Sequence, residues 1–436
     1  MADSFVTVRL GDVCTKIGSG ATPRGGNSVY LDHGATALIR SQNIYNDGFR
    51  REGLAYLTDK HASELSNVEV QEHDILLNIT GDSVARSCQV DANVLPARVN
   101  QHVAIIRPDP TKLWPRFLRY CLVAPSMQVK MLSLAGSGAT RNALTKGMIE
   151  AFQVEAPKDV GEQKAIANIL GSLDDKIEMN RRMHESVETM ARAIFKSWFV
   201  DFDPVKAKAA GRKPAGMDAA TAALFPDSLQ DSELGKIPKG WEVKSLDEIA
   251  RFLNGLALQK YPPIGGHSLP VIKIAQLRAG NTNGADCASA DIEPDYIIKD
   301  GDILFSWSGS LECVLWAGGQ GALNQHLFKA TSTIYPRWLC YLGIHQHLND
   351  FRHIAAGKAT TMGHIQRHHL SAAKLAIPSS TLLRAMDSMM RPIIESIWCR
   401  EVECRTLAAL RDMLLPKLLS GEIRLQIKQF ELHAHE

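Results

Sequence analysis

The chain repeats itself, and that constrains its fold more than any single motif. Trp114-Pro115-Arg116-Phe117-Leu118-Arg119-Tyr120 has a counterpart in Tyr335-Pro336-Arg337-Trp338-Leu339-Cys340-Tyr341. Without a gap, the same shift pairs Ala135-Gly136 with Ala356-Gly357, Thr140 with Thr361 and Pro157 with Pro378. Upstream, Asn100-Gln101-His102 faces Asn324-Gln325-His326, Asp74-Ile75-Leu76 faces Asp302-Ile303-Leu304, Gly81 faces Gly309, and Phe5–Leu10 faces Trp241–Leu246. The order holds while the offset drifts, as it does when a duplicated domain keeps its core and its loops change length. At about 150 residues per domain, a chain of 436 residues has room for roughly three domains, enough for two copies of one domain and further elements.

Each copy has two parts. The first mixes short apolar runs with Gly, Asn and Asp punctuation, as in Asp74-Ile-Leu-Leu-Asn-Ile-Thr and Asp302-Ile-Leu-Phe-Ser-Trp-Ser. This reads as short strands and turns with an occasional helix, an α+β domain. The second part is helical. From Glu162 to Phe199 there is no proline and one glycine, Gly171, and Ile166, Leu170, Leu173, Ile177, Asn180, His184, Val187, Ala191, Ile194 and Trp198 keep a 4-3 spacing throughout. That is a heptad seam, which at about 1.5 Å per residue makes a rod of about 57 Å. Asn180 and His184 are the polar residues on it, a device that fixes register and partner; a buried helix hairpin that tolerates two polar residues is the alternative. Leu383, Met386, Met390, Ile393, Ile397, Cys404, Leu407, Leu414 and Leu418 repeat the rhythm in the second copy, with Arg400 and Arg411 on the seam and Pro392 and Pro416 intruding. A kink or late start is expected at Pro392 and a stop near Pro416.

Two seamed helices in one chain pack most economically on each other. The expected architecture is therefore two tandem domains of related fold at 1–157 and 236–378, each followed by a long helix at 158–200 and 379–423. The helices pair as an antiparallel coiled coil with pseudo-twofold symmetry. A linker at 201–235, in a stretch rich in Ala, Lys, Gly and Pro, spans that geometry, and 424–436 is a C-terminal tail.

Chemistry is sparse. With 45% apolar and 22% charged residues the chain is neither disordered nor fibrous. No stretch approaches the roughly 18 apolar residues of a membrane helix. Met1-Ala2-Asp3-Ser4 carries no secretory signal, so the expectation is a cytoplasmic protein with no membrane partner. Eight scattered cysteines without a C-x-x-C read as thiols rather than disulfides. His345-x-His347 and His368-His369 lack the cysteine pair of a structural zinc site, so no metal is expected. A phosphate-loop motif, H-E-x-x-H, G-x-S-x-G and an EF-hand loop are all missing, and Asp203-Pro204 lacks the second proline of an amino-methyltransferase motif. No catalytic residue is expected.

Charge distribution says more than the net +2. Arg98, Arg107, Lys112, Arg116, Arg119, Lys130, Arg141 and Lys146 run from 98 to 148 against one acid, Asp109. Lys329, Arg337, Arg352, Lys358, Arg367 and Lys374 occupy the matched stretch of the second copy, with Asp350 and six interleaved histidines. Two basic segments at equivalent positions fit a phosphate backbone touched twice; a solvated surface with accidental bias is the alternative. Base readout calls for Arg, Lys, Asn and Gln on loops and helix ends. The candidates in the first copy are Thr22, Arg24, Arg40, Gln42, Asn43, Gln101, His102, Arg116, Ser137, Thr140, Arg141, Asn142 and Lys146. In the second they are Lys273, Gln276, Arg278, Gln325, His326, Arg337, Lys358, Thr360, Thr361, His364 and Arg367. Ile39-Arg40-Ser41-Gln42-Asn43-Ile44 and Ile272-Lys273-Ile274-Ala275-Gln276-Leu277 place cation and amide at similar spacing. Asn-Gln-His serves either readout or a buried polar network beneath a loop.

Several strings resemble the specificity (S) subunit of type I restriction-modification systems. They are Phe195-Lys-Ser-Trp-Phe-Val-Asp-Phe-Asp-Pro204, Gly235-Lys-Ile-Pro-Lys-Gly-Trp241, Leu414-Leu-Pro-Lys-Leu-Leu-Ser-Gly-Glu-Ile423, Gly161-Glu162-Gln163-Lys164 and Gly18-Ser-Gly-Ala-Thr-Pro23. The second copy departs from the last, with Asn254-Gly255-Leu256-Ala257 in its place. The resemblance covers essentially the whole chain. It implies two target-recognition domains that each read half of a split DNA target, and a helical spacer that sets the gap. It also implies docking to two modification subunits that carry S-adenosylmethionine and to restriction subunits that use ATP and Mg, with no bond chemistry in this chain. The other readings are a coiled-coil scaffold with only non-specific DNA affinity, and a nuclease or methyltransferase acting alone.

Overall fold

A computed structural model describes residues 5–136, 143–263, 266–357 and 363–425. It divides into two compact units. One is built from residues 1–176 with 407–436, the other from 177–406.

In the first unit, the strands Phe5–Arg9 and Gln153–Pro157 pair antiparallel, Phe5 opposite Pro157, and so join the two ends of the domain. Between them lie two four-stranded sheets. One is antiparallel, in the order Cys14–Ser19, Val103–Pro108, Ile75–Asn78, Ser87–Gln89; the other runs Ala55–Leu57, Thr36–Ile39, Ala97–Val99, Glu69–Val70, with one parallel pairing between Ala97–Val99 and Thr36–Ile39. Successive side chains of a strand point to opposite faces, which explains the unbroken apolar runs. Ile75, Leu77, Ala104 and Ile106 face the core that holds the helix Pro115–Val123. Leu76, Val103 and Ile105 face a second core against the other sheet. A strand buried on both faces reads as continuous hydrophobics rather than as alternation.

The second unit repeats this sheet topology strand by strand. Glu242–Ser245 pairs with Lys374–Ile377; one sheet runs Arg251–Asn254, Leu327–Thr331, Ile303–Ser306, Cys313–Leu315, and the other Cys287–Ser289, Ser268–Ile272, Gly321–Leu323, Ile297–Ile298. Ile303, Phe305, Phe328 and Ala330 face the larger core, and Leu304 and Leu327 the smaller.

The long helices run Val160–Phe199 and Ser380–Leu419. In the first unit Ile166, Ala167 and Leu170 share a core with Leu415 and Leu418, and Asp174 meets Arg411. In the second unit Ala191, Phe195 and Trp198 share a core with Met386, Met390, Ile394 and Ile397. There the Cys404 thiol meets Ile177 O, Asn180 Nδ2 donates to Glu403 Oε2 at 2.8 Å, and His184 Nδ1 lies 3.1 Å from Glu401. Residue numbers fall along one helix as they rise along the other, so the pairing is antiparallel. Every residue named for the first seam is buried or half-buried. The polar pair does not meet across the seam; each finds a glutamate. The Glu401 contact holds the His184 imidazolium and raises its pKa against the opposing effect of burial.

Two sequence expectations change. The second helix passes Pro392 without a late start and runs to Leu419, beyond Pro416. Both prolines are exposed, as are Ser388 and Asp412, whose carbonyls lose their amide partners; water can satisfy these carbonyls. The helix stops where Gly421 takes a left-handed φ of +72°, with Ile423 N–H bonded to Lys417 O at 3.0 Å. The connector is packed rather than a bare span. It forms the helices Asp203–Ala209 and Ala219–Leu224 and a hairpin of Leu229–Ser232 with Gly235–Pro238. Its Phe202, Val205 and Phe225 are buried with Phe195, Trp198, Phe199 and Trp241. Phe195 stacks on Phe199 at 4.6 Å, and Trp241 lies 5.6 Å from Phe199 and 5.9 Å from Phe202. Two of the strings that carry the resemblance are thus one aromatic cluster. A third string holds Gln163, whose buried side chain accepts from Trp114 N and donates to Pro157 O, both at 2.8 Å, and so ties the helix start to its domain.

Candidate nucleic-acid interface

In each unit a polar network forms where the two sheets meet. Asn100 follows the strand Ala97–Val99 and Asn324 follows Gly321–Leu323. Both asparagines are buried, and each Oδ1 accepts the backbone N–H two residues on, from His102 at 3.1 Å and from His326 at 3.2 Å. The turn this shapes presents Gln-His outward. His102 Nδ1 lies 2.6 Å from Thr80 Oγ1, and His326 Nδ1 lies 3.1 Å from Ser308 Oγ. On the other ring nitrogen, Gln101 Nε2 is 2.9 Å from His102 Nε2 and Gln325 Nε2 is 3.5 Å from His326 Nε2. In the first domain Thr22 Oγ1 donates to Gln101 Oε1, and both residues are exposed. The hydrogens fit one scheme: the glutamine amide donates to Nε2, and Nδ1–H donates to the hydroxyl. This leaves each glutamine a further N–H.

A glycine seats each turn. A Cβ at Gly20 would lie 2.0 Å from Val99 O and 2.3 Å from Asn100 O; at Gly255 it would lie 2.2 Å from Asn324 O and 2.5 Å from Leu323 O. Gly20 N–H bonds Val103 O, and Gly255 N–H bonds Leu327 O. Gly255 therefore does in Asn254-Gly255-Leu256-Ala257 what Gly20 does in Ser19-Gly20-Ala21-Thr22, although the strings differ. Thr80 bridges Ala143, and Ser308 bridges His364, so Ala143 and His364 are anchored at the same place in their domains. Ser137, Thr140, Arg141 and Asn142, and Lys358, Thr360 and Thr361, lie outside the described residues.

The basic segments are corrected. Arg98 is buried and bonded to Ala62 O, Ala97 O and Glu69; Arg107 grips the fully buried Asp74 with two bonds of 2.7 Å; Arg116 holds Asp175 and Gly171 O; Arg119 holds Asp174. In the second domain Lys329 pairs with Asp302, Arg352 with Glu312 and Lys374 with Glu233, while Arg367 donates to Phe252 O and lies over the Phe328 ring. Arg337 lines a cavity of about 320 Å³ with Asp302 and Asp387. Acids from other stretches of sequence pair with most of these cations, so a run basic along the chain is not a uniformly basic surface. Lys112, Lys130, Arg24 and Arg278 are exposed, and so is Lys146, which pairs with Glu150 at 3.5 Å.

The matched cation-amide strings are helix starts. Asn43 Oδ1 accepts Arg40 N–H at 3.0 Å and Gln276 Oε1 accepts Lys273 N–H at 3.3 Å, with both amides buried. Asn43 Nδ2 is spent on Arg50 O and Glu52 O, Arg40 and Gln42 both donate to Gly53 O, and Lys273 pairs with Asp286. These contacts shape the loops on which the residues sit. Of the histidines, His347 is 3.1 Å from Lys374 O, and burial pushes His345, against the Tyr341 ring, down to about 4. Sequence reasoning missed Thr80, Ser308, Asn254 and Trp307; only the repeat itself, which aligns 80 with 308, pointed to them.

The sequence profile of the type I restriction modification DNA specificity domain matches residues 3–189 and 238–381. The type I restriction enzyme HindI specificity subunit of Haemophilus influenzae is 25% identical over 425 residues, covering 83% of this chain and 90% of that one. The MjaIX specificity subunit of Methanocaldococcus jannaschii is 25% identical over 332 residues, covering 71% and 69%. The type I restriction-modification system S subunit from M. genitalium shares the fold with a TM-score of 0.55 at 14% identity, over 96% of this chain and 97% of that one. Among the described residues no helix is long and apolar enough to cross a membrane.

Proposed function

The chain belongs to the type I restriction modification DNA specificity family, and on that premise we propose that each of its two domains reads one half of a bipartite duplex target through its Asn-supported Gln-His turn. It is the DNA sequence-recognition subunit of such a system and is not itself the catalyst. The observation that carries the reading is the repeated network. The same buried asparagine, the same histidine-hydroxyl contact and the same outward glutamine recur in both domains, among neighbours that differ. Glutamine offers a donor and an acceptor side by side, the pattern that matches the adenine edge in the major groove. Two such readers on one chain add their binding free energies, subject to a fixed spacing.

In this reading the paired helices are the spacer, and they and their surroundings dock two modification subunits and the restriction subunits. S-adenosylmethionine, ATP and Mg belong to those partners, and adenine methylation and cleavage are theirs. The assembly works in the cytoplasm. Seven residues inserted after Met183 and seven after Arg400 keep the seam in phase and lengthen the pair by about 10 Å. The permitted gap between half-sites is expected to grow by about three base pairs, since duplex DNA rises about 3.4 Å per pair. Gel-shift titration against duplexes of graded gap length checks this; an unchanged gap optimum would remove the helices as ruler. A coiled-coil scaffold with non-specific affinity would show no gap optimum at all.

A further inference from the structure

The two turns differ in the side chain that lies beneath them. The residue after each central strand makes the same backbone bonds in both domains. Ile79 N–H donates to His102 O at 3.0 Å and Ile79 O accepts from Leu144 N–H at 2.8 Å; Trp307 N–H donates to His326 O at 3.3 Å and Trp307 O accepts from Ile365 N–H at 2.9 Å. The first domain places a buried isoleucine there, and the second a half-exposed indole. The indole N–H is shared between Asn254 Oδ1 at 3.0 Å and Gln325 O at 3.1 Å. Its ring lies 5.8 Å from that of His326 and, edge on, 6.3 Å from that of His364. Asn254 ends its strand where Ser19 ends the matched strand of the first domain. Ile79 has no polar atom with which to do the same.

Resting on the recognition reading, we propose that Trp307, oriented by Asn254, is a positioning residue for the second half-site, fixing the Gln325-His326 turn in the conformation that meets a base. The side chain of Gln325 extends from a backbone whose carbonyl is pinned to a rigid ring. Unpinning it lets the turn adjust to a mismatched base, so discrimination falls more than affinity does. The first domain lacks this device, so its half-site does not respond.

The test uses the full chain with its modification subunits and duplexes in which one half-site is held fixed and the other is varied a base at a time. Trp307→Phe keeps a ring and removes the N–H. Asn254→Ala keeps the indole and its bond to Gln325 O but removes the side-chain acceptor that orients the ring, so it reports even if the ring exchange disturbs packing. Each is expected to lower discrimination at the second half-site about tenfold, the worth of one well-made hydrogen bond, with the first half-site unchanged. The double variant is expected to lose no more than either single one, because the two act through one contact. Unchanged discrimination in both single variants would overturn the proposal, and so would equal loss at both half-sites. A wild-type complex that discriminates at neither half-site would instead remove the recognition reading beneath it.

Discussion

Replacing Asp174 by alanine is expected to destabilise the first unit by about 3–5 kcal/mol, the cost of leaving a buried charge without its counter-ion. Asp174 lies on the first long helix with its side chain 14% exposed, and three side chains converge on it. Arg119 grips one oxygen, Tyr120 Oη donates to the same oxygen at 2.7 Å, and Arg411 of the second long helix donates to the other at 2.8 Å. Burial pushes this carboxyl up, yet Arg119, Arg411 and Tyr120 outweigh it and hold the group below the usual carboxylate range. Without it, Arg119, 8% exposed at its side chain, keeps only the Asn46 carbonyl and the Tyr120 ring face. The neighbouring Asp175 is the control. Its pair with Arg116 is mostly in water, the carboxylate being 65% exposed, and Asp175→Ala is expected to cost no more than about 1 kcal/mol. Urea unfolding of the two variants checks this, and equal midpoints would show that the cluster does not tie the domain to its helices.

Gly20→Ala is expected to abolish recognition of the first half-site and leave the second intact; Gly255→Ala should do the reverse. The added methyl would sit 2.0–2.4 Å from backbone atoms of Val99 and Asn100, which cannot swing aside as a side chain would. The strand end or the turn must move, at about 1–3 kcal/mol for the overpacking and more if Gly20 N–H loses Val103 O. Whichever moves, Gln101 and Thr22 part. Gly18→Ala, two residues back, meets nothing within 4 Å and is expected to be neutral. Half-site-specific binding by the three variants is the measurement. Loss at both half-sites from one substitution, or the same loss from Gly18→Ala, would contradict the account.

Much of this was legible in the sequence because it is periodic or repeated. The seam from Ile166 to Trp198 follows from a 4-3 spacing that only a helix uses, and the matched strands follow from Asp74-Ile75-Leu76 and Asp302-Ile303-Leu304. Charge along the chain showed less. Arg98, Arg107, Arg119, Lys329 and Arg352 meet acids, Glu69, Asp74, Asp174, Asp302 and Glu312, that lie tens of residues away in sequence. Pairing is a property of the fold, and composition along a segment cannot see it. Arg40 and Asn43 make the same point: a donor-acceptor pair three residues apart serves a helix cap as readily as a base. In Asn-Gln-His the asparagine is the buried support of the turn, and the glutamine is the outward group on which the proposed readout rests. Pro392 does not delay the helix start, because the penalty for a proline within a helix depends on whether its orphaned carbonyl faces water.

The central claim is that two different readers act at a fixed spacing. Selection of binding sites from random duplex DNA, by the full chain with its modification subunits at one salt concentration, tests it most directly. The account predicts a motif in two unlike parts separated by a constant unspecified gap. Retained DNA that carries no shared motif, or two parts whose separation drifts, would contradict it.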